Sequence, residues 1–279
     1  MTDGRLIVCA TPIGNLCDVT LRVLEALKVA DVIEAEDTRV TSRLLARYGI
    51  PTTMEPYHAK NLLRRTPEVV ARVASGQAVA LVSDAGTPGV SDPGAHLVDA
   101  CVDAGLAVDV LPGPSAIITA LVASGLPTFA FYFGGFLPRK AGERRRALER
   151  LSTLEATLVF YESPRRTSAT LASIAEVMPG REAAMARELT KLHEEVVRGE
   201  VGGLALQMAD RELKGEVVLL VGPPARNAAG EGSRPDAIEL RAQVDALVAA
   251  GSSRKDAVRA VSERTGLPRN DVYDAAVRG

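Results

Sequence analysis

Short apolar runs and longer mixed stretches take turns along the first hundred residues. Arg5-Leu-Ile-Val-Cys-Ala10, Asp31-Val-Ile-Glu-Ala35, Ala78-Val-Ala-Leu-Val82 and Ala107-Val-Asp-Val-Leu111 read as buried strands. Between them, Thr20 to Lys28, about Val40 to Tyr48, Leu62 to Ser75 and Ala95 to Val102 space their apolar residues as amphipathic helices do. Gly49 with Pro51, and Gly76, stop two of these helices. Strands alternating with helices at this spacing predict an α/β domain with a parallel, doubly wound sheet over residues 1–112.

Leu111-Pro-Gly-Pro-Ser115 cannot continue a strand, and Ser115 is placed to cap the apolar helix Ala116 to Ser124. The domain boundary is expected here. Residues 113–222 then read as a second α/β domain: strand 129–134, helix 139–152, strand 156–161, helix 165–177, strands 182–187 and 194–198, helix 201–210 and strand 216–221. Val110 to Pro138 carries no charge and is long enough to span a bilayer. Its prolines and glycines break it up, so it reads as buried core and no membrane is expected. Apolar content collapses over 223–235, a linker by composition. Residues 236–279 form a helical tail. Within it, Ser252 to Gly266 and Leu267 to Val277 read as helix, short turn, helix, with Ala257, Val258, Val261, Val272 and Ala276 as a small core.

The densest turn chemistry lies in Leu81-Val-Ser-Asp-Ala-Gly-Thr-Pro-Gly-Val-Ser-Asp-Pro-Gly94, with three Gly, two Pro and two Asp between a strand and a helix. A loop of this kind presents backbone N–H and C=O groups as a fixed edge, at the place where open α/β sheets bind ligands. Thr11–Asn15, Glu36–Arg39, Pro112–Ser115, Tyr161–Arg165 and Arg187–Lys191 are the other strand-end loops, and together they predict one cleft. The first-domain loops hold Gly, Pro, Thr and Ser with few charges, which suits a zwitterionic ligand with an adenosine-like body better than a triphosphate.

Composition narrows the chemistry further. The formal net charge is −2, so any nucleic-acid site must be a local patch. Cys9, Cys17 and Cys101 form no CxxC pair and no metal spacing. With no basic-then-apolar leader before the first strand, they read as reduced thiols of a cytoplasmic protein. GxGxxG after the first strand, GxxxxGK[ST], HExxH and GxSxG are all missing. His58, His96 and His193 are far apart in sequence; His58, after a predicted strand, has most functional interest.

The motifs Thr11-Pro-Ile-Gly-Asn-Leu16, Ala35-Glu-Asp-Thr-Arg39, Leu81-Val-Ser-Asp-Ala-Gly-Thr-Pro88, Leu111-Pro-Gly-Pro-Ser115, Gly135-Phe-Leu-Pro138, Phe160-Tyr-Glu-Ser163, Ala186-Arg-Glu-Leu-Thr-Lys191 and Lys214-Gly-Glu216 occur in that order. In this the chain resembles the tetrapyrrole-methylase superfamily, the class III S-adenosylmethionine-dependent methyltransferases. It is most similar to the branch that 2′-O-methylates a cytidine ribose in the decoding region of 16S rRNA. The corrin and porphyrin branches carry Gly-Asp-Pro where this chain has Gly86-Thr87-Pro88.

The resemblance implies two α/β domains with S-adenosyl-L-methionine folded between them. The implied cofactor contacts are Pro12, Ala85, Gly86, Thr87, Val90, Ser115, Ala116, Tyr161, Leu189 and Gly215. It also implies a homodimer, no metal, and 16S rRNA within the small ribosomal subunit as partner. Asp37, Glu162 and Glu188 become candidate proton acceptors or orienters, each beside a base: Arg39, Arg165 and Lys191. RNA is expected on Arg139, Lys140, Arg144, Arg145 and Arg165, with Arg64-Arg65 and Arg166 as extensions and Arg254 and Lys255 in the tail. A small-molecule methylase of the same fold, or a non-enzymatic RNA-binding or assembly protein, are the alternatives. An acidic or neutral cleft mouth favours the former.

Overall fold

A computed structural model describes residues 4–224, 237–265 and 267–278. The chain divides into two compact units, Met1–Pro224 and Ala225–Gly279.

The first unit holds two five-stranded sheets. β1 (Arg5–Cys9), β2 (Val32–Ala35), β3 (Met54–Pro56), β4 (Ala78–Val82) and β5 (Ala107–Leu111) lie in the order β3-β2-β4-β1-β5, and every pair is parallel. Parallel neighbours need crossovers, supplied by α1 (Leu21–Val29), α2 (Thr38–Tyr48), α3 (Leu62–Ala74) and α4 (Gly94–Asp103). Strand residues of alternate parity face opposite cores. Ile7, Cys9, Ile33 and Ala80 pack with Val23 and Leu27 of α1 and Leu44 of α2. Leu6, Val8, Val79 and Leu81 pack with Val69 of α3 and Leu97 of α4. The runs are apolar throughout because both faces are covered.

The chain passes from the first sheet to the second across residues 112–115, where the boundary is expected. α5 (Ala116–Ser124) follows, and the Ser115 side chain accepts from the Ile118 N–H as its cap. The second sheet is mixed: β6 (Phe131–Phe136), β7 (Thr157–Glu162), β8 (Glu182–Arg187), β9 (Glu195–Glu200) and β10 (Val217–Val221), in the order β6-β7-β10-β8-β9. β6 runs parallel to β7, while β10 is antiparallel to β7 and β8, and β8 to β9. α6 (Ala141–Leu151), α7 (Thr167–Val177) and α8 (Val201–Ala209) complete this half. Leu148, Leu171, Ile174 and Leu204 pack with the β7, β8 and β10 side chains of one face; Ala120 and Leu121 of α5 pack with those of the other.

The uncharged Val110–Pro138 stretch departs from the sequence expectation. Ala120, Leu121, Ser124 and Leu137 are buried, but Val110, Ile118, Val122, Phe129, Phe131, Tyr132 and Phe136 are exposed, Phe129 at 84%. It is therefore only half core. Among the described residues no helix is long and apolar enough to cross a membrane.

The second unit is a three-helix fold of α9 (Ala237–Ala249), α10 (Arg254–Thr265) and α11 (Arg269–Arg278). Ala257, Val258, Val261, Val272 and Ala276 are its core, as expected, together with Leu240 and Val244 of α9. Most of the 223–235 linker, and Gly266, lie outside the described residues.

Candidate functional site

The loops after β1 and β4 are tied together. Thr11 and Gly86 exchange backbone bonds of 2.9 and 3.0 Å, and Thr11 Oγ1 donates to the Ser83 carbonyl at 3.0 Å. Gly86 sits at φ +77°, a left-handed conformation that glycine adopts without strain. Further on, Asp92 Oδ1 accepts from the N–H groups of Gly89 and Gly94 at 2.8 and 2.7 Å, which folds residues 89–94 back on themselves. This loop is braced by its own residues and by β1.

The opposing wall comes from the second sheet. Tyr161 stacks edge-on to Phe133, ring centroids 4.9 Å apart, and against Phe136 at 5.6 Å. Residues 188–191 turn sharply, with Glu188 at φ +51° and Thr190 at φ +63°, both strained for side chains of this kind. Several contacts hold that turn. Lys191 Nζ donates to Glu188 Oε1 at 2.8 Å and to Glu216 Oε2 at 3.0 Å, and the Glu216 N–H donates to Glu188 Oε1 at 3.0 Å. From the first half, the Asn15 N–H donates to Thr190 Oγ1 at 3.0 Å. Gly14 lies so close that a Cβ there would stand 2.6 Å from Thr190 Oγ1 and 2.7 Å from the Leu189 carbonyl oxygen. Gly215 likewise has no room, because its Cβ would meet the Glu188 carboxylate at 2.2 Å.

Between the walls lies a cavity of about 470 Å³. Ala85, Gly86, Thr87, Val90, Ser115, Ala116, Tyr161, Leu189 and Gly215 line it, nine of the ten cofactor contacts implied by the resemblance. Pro12 does not; its neighbour Ile13 does. Ile13, Ala116, Ile117, Leu189, Val217 and Val218 make an apolar floor, and Glu36, Asp84, Asp92, Ser163 and Glu216 a polar rim. His58 does not line it. Among the described residues no three His, Cys, Asp or Glu side chains are grouped to hold a metal ion.

The expected catalytic residues fare less well. Asp37 caps α2, accepting from the Arg39 N–H at 2.9 Å, and is clasped by the Arg39 guanidinium at 2.6 Å. That clasp holds its carboxyl at about 2, and neither residue lines the cavity. Glu162 does line it but is buried: Oε1 accepts from the Ser163 N–H, and Oε2 from Thr170 Oγ1 at 2.7 Å and Arg166 at 3.2 Å. Its oxygens are engaged inside the fold, so it braces the 163–166 turn and is not a free acceptor. Glu188 and Lys191 do not line the cavity. Burial pushes the Glu188 carboxyl up, but the bonds from Lys191 and the Glu216 N–H prevail and hold it below its ordinary value. For Lys191, burial works against the charge, and its two carboxylate partners outweigh it and raise the ammonium.

What the sequence reading missed is one residue from a candidate it named. Glu36 and Asp84 both face the cavity. Burial pushes both carboxyls up, reinforced at Glu36 by Asp84, Asp92 and Asp37, and at Asp84 first by Asp37. The signal was present as acids at the ends of two neighbouring strands, but sequence alone does not say which acid of Glu36-Asp37 turns inward.

The basic patch also needs revision. Arg139, Lys140, Arg145 and Arg165 are exposed. Arg144 is buried; its Nε donates to Ser173 Oγ at 3.0 Å and its Nη1 to the Arg139 carbonyl at 3.3 Å, so it joins α6 to α7. Arg166 donates to the Leu137 carbonyl at 2.7 Å. Arg65 is buried against Glu34, Glu55 and Glu68, and exposed Arg64 pairs with Glu68. Arg65, Arg144 and Arg166 are structural. In the tail, exposed Arg254 pairs with Asp245 at 3.2 Å, and Lys255 is exposed beside it. Such surface pairs are worth little and open readily to another anion.

A model of the tetrapyrrole (corrin/porphyrin) methylases matches residues 5–205, and one of the RsmI C-terminal HTH domain matches residues 235–278. A ribosomal RNA small subunit methyltransferase I from Mesorhizobium japonicum is 46% identical, covering 97% of this chain and 90% of the relative. Its counterpart from Synechocystis is 42% identical, covering 98% of each. Among solved structures, the methyltransferase CobJ superposes with a TM-score of 0.62 at 25% identity, covering 80% of this chain and 95% of that one. Diphthine synthase superposes with a TM-score of 0.63 at 14% identity, covering 78% and 90%, a likeness of fold alone.

Proposed function

The chain belongs to the tetrapyrrole (corrin/porphyrin) methylase family, and from that premise we propose that it uses S-adenosyl-L-methionine to methylate a cytidine ribose 2′-hydroxyl in the decoding region of 16S rRNA, within the small ribosomal subunit. The observation that carries this reading is near-full-length similarity to relatives named ribosomal RNA small subunit methyltransferase I, tail included, at 38–46% identity.

The cavity fits the cofactor in size and character. The apolar floor suits an adenine ring, and the backbone edge at 84–87 and Gly215 suits its polar atoms. The carboxylates of Asp84 and Asp92 complement a sulfonium and an α-ammonium group. When bound, the cofactor supplies an electrophilic methyl on a good leaving group. The protein then has to align acceptor and donor, which contributes up to roughly 7–11 kcal/mol, and to receive a proton. Leu189 and Gly215 would hold one side of the cofactor through the braced 188–191 turn, and Tyr161 with Phe136 closes the aromatic wall.

The acidic rim favours a second reading, a small-molecule methylase, because carboxylates repel a phosphodiester chain. Similarity running through the C-terminal unit weighs against it. An acidic rim is compatible with RNA when only the target nucleoside enters and its phosphates rest on Arg139, Lys140, Arg145 and Arg165 outside. Such a protein works in the cytoplasm. The exposed apolar side chains between Val110 and Phe136 support a homodimer, since patches of this kind mark interaction surfaces. Small subunits from a strain lacking the protein, incubated with it and labelled cofactor, should gain one methyl that maps to a cytidine ribose. Label in no rRNA nucleotide would overturn the reading.

A further inference from the structure

We propose that Glu36 accepts the proton of the substrate hydroxyl as the methyl group is transferred, an assignment that rests on the methyltransferase reading above. Glu36 stands at the carboxyl end of β2, its backbone N–H bonded to the Val82 carbonyl at 3.3 Å, so it is fixed to the β4 end where the 83–94 loop begins. Its Oε2 accepts from the Asp84 N–H at 3.3 Å. Its Oε1 accepts no bond among the described residues, and the residue lines the cavity. The carboxylate is therefore oriented by one oxygen and open at the other.

The other acids near the cavity are each more firmly bonded, more buried or more exposed than Glu36. Asp37 is clasped by Arg39 and does not line the cavity. Glu162 is buried with both oxygens bonded. Asp92 Oδ1 holds the 89–94 turn through two N–H groups. Glu216 pairs with Lys191 and its side chain is 70% exposed, so water weakens it as a base. Asp84 is the nearest rival; its Oδ1 accepts from the Asp37 N–H at 3.0 Å and it is the more exposed of the two. The charges facing Glu36 are Asp37 on its own turn and Asp84 and Asp92 on the loop after β4. These, with burial, make its carboxylate more basic than an ordinary glutamate.

The step balances without a co-reactant. The hydroxyl oxygen bonds to the methyl carbon, the carbon–sulfur bond breaks, and its electron pair returns to sulfur. As the carbon–oxygen bond forms, the oxygen gains positive character and its proton becomes strongly acidic. A carboxylate is then base enough, and the proton passes to Glu36 Oε1.

The test compares wild type, Glu36→Gln, Glu36→Asp and Asp84→Asn. It uses unmethylated small subunits for turnover, calorimetry with S-adenosylmethionine for affinity, and ¹³C NMR of labelled glutamate carboxyls for titration. In the protein without substrate, two glutamate resonances, those of Glu36 and buried Glu34, should titrate above the ordinary range, and one of the two should vanish in Glu36→Gln. In that variant kcat should fall roughly hundred- to ten-thousandfold, with cofactor affinity within about threefold of wild type. Wild-type kcat should rise with pH through the raised Glu36 value and level off, because the base must be ionised. Glu36→Asp should keep that limb at lower kcat, and Asp84→Asn should keep it with a smaller loss. Wild-type turnover in Glu36→Gln, an equal loss of cofactor affinity, or loss of the limb in Asp84→Asn alone would each overturn the assignment. A wild-type protein that methylates no subunit would instead sink the functional reading, and the NMR titration would still report on Glu36.

Discussion

Two loops face each other across the cavity, and they reach tight conformations by different means. In the loop after β4, Gly86 and Gly89 take left-handed positions, as does Ser91 at φ +66°, and Asp92 closes a local turn onto residues two and three away. In the loop after β8, Glu188 and Thr190 adopt left-handed backbone despite their side chains. What holds them is partly local, in the Lys191 bond to Glu188 and the Thr190 N–H bond to Glu194 Oε2 at 2.6 Å, and partly distant in sequence, in Glu216, Asn15 and Gly14. The first loop carries its 89–94 turn in its own residues, while Thr11 pairs with it at Gly86. The second is held in place by the rest of the unit, so its stability is coupled to the closeness of the two sheets' loops.

The comparison breaks most severely at Gly14. Gly14→Val places side-chain carbon within reach of the Leu189 carbonyl, a backbone atom that cannot step aside cheaply. Overpacking of this kind costs about 1–3 kcal/mol. Calorimetry should show cofactor affinity lowered by roughly tenfold or more, with circular dichroism unchanged. Gly86→Val, strained at φ +77° but with space around it, should cost about 1–2 kcal/mol, acting on the first loop alone.

Lys191→Ala sharpens the contrast. It leaves Glu188 and Glu216 without their shared cation and should loosen the strained turn, so cofactor affinity should fall more than kcat. Glu188→Gly should be less harmful than Glu188→Ala, because glycine accepts φ +51° without strain. Equal affinities for those two variants would show that strain is not what the Glu188–Lys191–Glu216 latch restrains.

The two loops should also respond to pH in opposite senses. The Glu188 carboxyl is held below its ordinary value, so its stabilisation is present above the ordinary glutamate range and is lost as pH falls through the lowered value. Glu36 is raised, so it takes up a proton at a pH where the latch is still intact. Hydrogen exchange at 188–191 should therefore stay slow through the pH range in which kcat falls. Acceleration of exchange over that same range would refute the separation.

The smallest effect on the cavity is expected from the C-terminal unit. A chain truncated after Gly222 should bind S-adenosylmethionine as the full chain does, yet bind small subunits more weakly, by a deficit that is largest at low salt and narrows as salt rises. Full methylation by the truncated chain would remove the tail from substrate docking.

The order of strands and helices was legible because apolar periodicity reports burial directly. The parallel sheet, the Ser115 cap and five of the tail's core residues followed from it. The wall of the cavity was legible too, through motifs whose Gly and Pro permit few other shapes. Which acids face the cavity was not. Asp37 and Glu36 are adjacent acids, and only the α2 cap turns one outward to Arg39 and leaves the other inside. Arg144 and Arg145 are adjacent bases, and only helix packing buries one against Ser173. Val110–Pro138 reads as core by composition, yet its outer face is exposed because a sheet edge and a single helix cannot cover every apolar side chain. By itself, then, the sequence determined which segments are strands, helices and turns, since those depend on spacing and local backbone freedom. The tertiary structure decided which charges meet, which are buried and which face the cavity, since electrostatic partnership depends on distances between residues far apart in the chain.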